Sequence, residues 1–156
     1  MKYLSINSNP YSLDFAVFDY ESKKLIQYGT AFYKSKNKTE RIVEIWDNIE
    51  ELLHDINPNV VVTQMLDLRY TKKQDLEHIV QIRTILRKLC EDNLIMYNEF
   101  RTLGWEKRIT ELKKPSKKAK LKIAQEYSKK IDRIEIADAI ILGEGMVWNR
   151  LQIGRD

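Results

Sequence analysis

Two carboxylates stand three residues apart in the stretch "IEIADAIILGEGM": Glu135 and Asp138. In a helix that spacing places both on one face. Acids at such a position are also favoured simply because they lie near a helix N-terminus and its dipole. Upstream of them the chain is basic. Between Trp105 and Lys130 there are ten Lys or Arg (Lys107, Arg108, Lys113, Lys114, Lys117, Lys118, Lys120, Lys122, Lys129 and Lys130) against three acids, Glu106, Glu111 and Glu126. A local field of this sign attracts phosphate backbones; its ordinary alternative is a solvated helix face. At the other end, "YLSINSNPYS" runs an apolar strand into a polar turn, with Asn7 at the junction. A side-chain-to-backbone hydrogen bond within the turn is a common role for such an Asn, and Thr63 reads first as a plain strand residue.

Other chemistry is thinly supplied. One cysteine, Cys90, and two histidines, His54 and His78, are too few for a structural zinc site. Both histidines read as surface residues. The lone cysteine excludes an internal disulfide and fits a reducing compartment. No Gly-rich phosphate loop is present.

The elements that must position these residues follow from periodicity. "KYLSIN", "LDFAVFDY" and "LIQYGTAFY" read as three strands joined by polar connections. "ERIVEIWDNIEELLHDIN" is the clearest helix, with Ile42, Ile45, Ile49, Leu52, Leu53 and Ile56 at helical spacing and Thr39 as its expected N-cap. "VVVTQM" suits a parallel strand buried on both faces. A helix from about Asp75 to Glu91 follows, with Leu76, Ile79, Val80, Leu86 and Leu89 as its apolar face. "NLIMYN" is a fifth strand. A helix at about Ser116–Lys130 and a final helix, "EIADAIILGEGMVWNRL", complete the order β-β-β-α-β-α-β-α-α. That order implies an α/β fold with a mixed five-stranded sheet, three strands antiparallel and the rest parallel, flanked by helices.

Composition sets the outer bounds. The 156 residues suit one domain, 1–156, with one core. Hydrophobic residues make up 43% and charged residues 32%, a globular balance, and the net charge is +4. No apolar run reaches the roughly 18–20 residues that span a bilayer, and "MKYLSINSNP" lacks the apolar core of a signal peptide. A cytoplasmic location, in a bacterial or phage-infected cell, is the expectation.

Four stretches, in order, carry a resemblance to a family. "YLSINSNPYSLDFAVFD" resembles the opening hairpin of RuvC-like Holliday-junction resolvases, particularly the small forms of phages and Gram-positive bacteria. "NPNVVVTQM" resembles their fourth strand, and "EFRTLGWEKRITELKKPSKKAKLKIAQEY" their Trp-Arg segment and Lys-rich helix. "IEIADAIILGEGM" resembles their last helix. The resemblance implies a ribonuclease H-like fold and a DNA-recombination role. It also implies phosphodiester hydrolysis by two Mg²⁺ or Mn²⁺ ions, one activating water and one stabilising the leaving oxygen. The family holds these hard cations with four acids. Carried over, those positions are Asn7, Thr63 (or Gln64, one residue on), Glu135 and Asp138. Only Glu135 and Asp138 keep acids and metal-binding capacity. Two neutral side chains leave the ions poorly neutralised, so two-metal binding and hydrolysis are expected to be weak or lost.

The resemblance also implies branched or four-way-junction DNA as partner and a homodimer, because such a junction offers two equivalent strands. DNA contacts are expected from Arg69, Lys72 and Lys73 after the fourth strand, from Arg101 with nearby aromatics, and from Lys107, Lys113, Lys114, Lys117 and Lys118. Three readings stay open: a resolvase relative that binds without cutting, an active structure-selective endonuclease using shifted acids such as Asp14 or Asp67, and a protein-interaction module on the same scaffold.

Overall fold

The computed structural model describes residues 1–65, 72–100 and 116–153. Its elements are β1 (Lys2–Ser8), β2 (Ser12–Asp19), β3 (Leu25–Phe32), α1 (Lys38–Ile56), β4 (Val60–Gln64), α2 (Lys73–Asp92), β5 (Met96–Phe100), α3 (Lys117–Tyr127) and α4 (Ile134–Ile153). This is the expected order. The five strands form one sheet, β3-β2-β1-β4-β5. β1–β2 and β2–β3 pair antiparallel, whereas β1–β4 and β4–β5 pair parallel. The antiparallel pairs need only tight connections, whereas the parallel pairs need crossovers: α2 bridges β4 and β5, and the chain from β1 to β4 runs through β2, β3 and α1.

Alternation along the strands divides the core in two. Leu4, Ile6, Val17 and Val61 face α1 and α2, meeting Ile45, Ile49, Leu53, Ile82, Ile85, Leu86 and Leu89. Tyr3, Ala16, Phe18, Val60 and Val62 face α4, meeting Ala137, Ile140 and Ile141, with Ala124 of α3 beside them. α4 is apolar around most of its circumference, which suits a helix buried against a sheet on one side and a second helix on the other. Ser5, buried in the middle of β1, donates its hydroxyl to the Ala139 carbonyl and so pins α4 to the sheet. Gly143 lets α4 come close: a methyl group there would overlap the Phe18 ring. Phe18 in turn stacks on Tyr3 at 5.1 Å between ring centres and meets Tyr127 of α3 edge-on at 5.9 Å.

Some local expectations need correcting. The N-cap of α1 is Asn37, not Thr39; the Asn37 side chain accepts the Thr39 amide at 2.8 Å. Asn presents its carbonyl at the same reach as a Thr hydroxyl and caps at least as well. The buried stripe of α2 runs Ile82-Ile85-Leu86-Leu89, and Val80 lies 46% exposed. α3 ends at Tyr127, short of Lys129 and Lys130, because Ser128 is already extended.

Candidate functional site

The pleat decides which residues share an edge. Asn7, two positions beyond Ser5, lies on the α4 face of β1. Its side-chain amide donates to the Glu135 carbonyl at 3.2 Å. This is a side-chain-to-backbone bond, but it tethers the sheet to the start of α4 rather than closing the turn. The turn belongs to Asn9, whose side-chain oxygen accepts the Tyr11 amide at 2.8 Å and the Ser12 amide at 3.0 Å.

Thr63 pairs with Ile6 and shares its face, toward α1 and α2. Its hydroxyl donates to the Ile6 carbonyl at 2.9 Å. One residue further, Gln64 is the position that falls beside Asn7 on the α4 face. Of the two candidates on β4, register therefore favours Gln64, and the physical reason is the two-residue period of a strand.

Glu135 and Asp138 sit in the first two turns of α4, on one side as their spacing requires, and both are about a third exposed. Neither is free. Lys120 Nζ of α3 donates to Asp138 Oδ1 at 2.9 Å. Burial pushes the Asp138 carboxyl above the usual aspartate range, and Glu135 adds to that, while Lys120 and Lys117 oppose it. Arg133, just before α4, reaches toward Glu135 with Nη2 at 3.6 Å from Oε2. Its Nε lies 3.5 Å from Oδ1 of Asp14.

Asp14 is the residue directly opposite Asn7 in the β1–β2 ladder. It is fully buried. Ser12 donates to it at 2.8 Å and Thr30, its neighbour on β3, at 2.5 Å. Sequence reasoning named Asp14 only as a possible shifted acid and did not single out Arg133. The available signal was an aspartate inside an otherwise apolar strand, which demands a partner when buried.

Of the expected DNA-contacting residues, Lys117 and Lys118 lie exposed in the first turn of α3, and Lys72 and Lys73 exposed at the start of α2. Arg69, Arg101, Lys107, Lys113 and Lys114 lie outside the described residues, as does Asp67. His54 is exposed, as expected. His78 is only partly exposed, with Nε2 3.3 Å from the Ser8 hydroxyl and its ring against Tyr33. Burial, with Arg41 nearby, holds its pKa below the usual histidine value.

Among the described residues the donor set does not fit a pair of hard cations. Among the described residues no group of three or more His, Cys, Asp or Glu converges as a metal cluster. Asn7 can offer a cation only a neutral amide oxygen, and the described acids nearest it already face Arg133 or Lys120. Mg²⁺ demands about six oxygen ligands in near-octahedral array.

No protein-family model and no curated protein matches the chain. Solved structures do match. RuvC of Thermus thermophilus aligns with a TM-score of 0.79 at 13% identity, covering 97% of each chain. Its complex with Holliday junction substrate aligns at 0.78. The yeast mitochondrial Holliday junction resolvase Ydc2 gives 0.70 at 12% identity, over 98% of this chain and 80% of that one. The fowlpox virus resolvase with Holliday junction DNA gives 0.66 at 15%, over 97% and 99%. The chain has the fold of these proteins, a ribonuclease H-like mixed sheet flanked by helices.

Proposed function

We propose that this is a resolvase-like protein that binds branched DNA and has little or no metal-dependent cleavage. The observation that carries the reading is the shared end of the interior strands β1 and β4. Asn7 and the neighbouring β4 position, Gln64, are neutral, and Glu135 and Asp138 of α4 stand beside cations of the chain. Alongside, α3 presents Lys117 and Lys118 to solvent, a surface suited to phosphates. The fold shared with resolvases solved on Holliday junction DNA supports a branched substrate. Recognition would rest on backbone phosphates and junction shape rather than base sequence. A homodimer would match the junction's two equivalent strands.

A second reading has one observation in its favour. Asp14 faces Asn7 across the hairpin, so an acid stands on the strand adjoining that position. An active Mg²⁺- or Mn²⁺-dependent endonuclease would have to recruit it. A gel shift with a four-way junction, run with and without Mn²⁺, separates the possibilities. Binding without cleavage is the expected result. Binding with Mn²⁺-dependent cleavage would support the second reading, and neither binding nor cleavage would favour a protein-interaction module.

A further inference from the structure

We infer that Arg133 is a tethered cation that fills the acidic corner between β2 and α4, so that this edge is closed to divalent ions from within. The inference rests on reading the edge as the counterpart of a metal site, but not on DNA binding.

The corner has three walls. Asp14 supplies a fully buried carboxylate, steadied by the Ser12 and Thr30 hydroxyls. Glu135 supplies a second carboxylate from the first turn of α4. Phe32, at the end of β3, supplies an aromatic face, and the guanidinium carbon of Arg133 lies 4.7 Å from its ring centre. The guanidinium sits among all three, 3.5 Å from Asp14 and 3.6 Å from Glu135. Its Nη2 also reaches the Ser12 hydroxyl at 3.4 Å.

These separations are long for hydrogen bonds, and Nε is buried without one. What holds the group is charge between two carboxylates and the ring beneath it, not a fitted donor fork. That is the role a metal ion would play there, filled by a side chain. One turn along, Lys120 does the same for Asp138. Among the described residues, three carboxyl groups here thus face two basic side chains. A bare divalent ion entering this corner would meet a fixed positive charge within a few ångström, a repulsion that water only partly screens.

The consequence is specific. Restoring an acid at the sheet edge is not enough to restore a metal site; the internal cation must also go. Mn²⁺ binding to the full chain, without DNA, is to be measured by electron paramagnetic resonance for the unaltered protein, Asn7→Asp, and Asn7→Asp combined with Arg133→Gln. Gln keeps an amide donor near Asp14, so folding is better protected than with Ala, and circular dichroism verifies it. The expected result is weak binding by Asn7→Asp alone and a gain of about tenfold or more on adding Arg133→Gln. Adding Arg133→Lys instead should give no such gain. Tight Mn²⁺ binding by Asn7→Asp alone, which needs no second variant, would overturn the inference. So would equal affinities with and without Arg133→Gln. Failure of junction binding would remove the DNA reading and leave this result intact.

Discussion

Asn7 and Asp14 occupy directly opposed positions on the β1–β2 hairpin, the amide bonded to the backbone of α4 and the carboxylate sealed beneath Arg133. The neutral residue thus sits on the central strand, and the acid lies one strand outward, on β2, beside Arg133. This exchange of positions makes Asp14 a structural acid first. Replacing it with Asn keeps the shape and leaves Arg133 facing one carboxylate rather than two. Because Arg133 is about a third exposed, water absorbs part of the loss. Asp14→Asn is expected to cost about 1–3 kcal/mol in urea denaturation.

The basic surface makes a prediction about salt. Changing Lys113, Lys114, Lys117 and Lys118 together to Ala should weaken four-way-junction binding and flatten its salt dependence. Each lost phosphate contact removes roughly 0.9 from the slope of log affinity against log salt. Gel shifts over a salt series measure this. An unchanged slope would mean that DNA, if bound, lies on another face.

Lys120 and Asp138 make a prediction about pH. Burial raises the Asp138 carboxyl, and Lys120 is the main influence opposing that rise. Lys120→Ala should therefore move the Asp138 pKa further up, visible in a carboxyl-detected NMR titration. The ion pair stabilises only while Asp138 is charged. The stability deficit of Lys120→Ala should be full at neutral pH and shrink as pH falls through the raised value. A deficit that persists unchanged in acid would assign Lys120 a packing role instead.

Gly143 gives a test of the fold's tightest helix-to-sheet approach. Ala is normally the better helix former by about 1 kcal/mol. Here the added methyl would press into the Phe18 ring, which is itself stacked on Tyr3. Gly143→Ala is expected to destabilise by about 1–3 kcal/mol, the usual cost of overpacking, and a thermal melt reads the sign directly. A higher melting temperature would show that α4 can shift away from Phe18.

Much of this architecture was legible beforehand because it is periodic. The apolar repeat of α1, the unbroken β-branched run of β4 and the i, i+3 pair Glu135 and Asp138 each follow from a short window of residues. Their periods of 3.6 and 2 are local properties of the backbone. The neutral character of Asn7 was equally plain, since side-chain identity needs no fold to be read.

The rest depended on which strand lies beside which. Thr63 and Gln64 are adjacent in sequence yet face opposite layers, and only the pairing of β1 with β4 says which one borders Asn7. Asn9, not Asn7, makes the turn because the hairpin register leaves it at the bend. Arg133 is 119 residues from Asp14 and belonged to no recognisable pattern. By itself, then, the sequence determined the elements, their order and the charges they carry. Tertiary structure alone decided which charges meet, because a contact between distant segments depends on register and helix placement, which no local window contains.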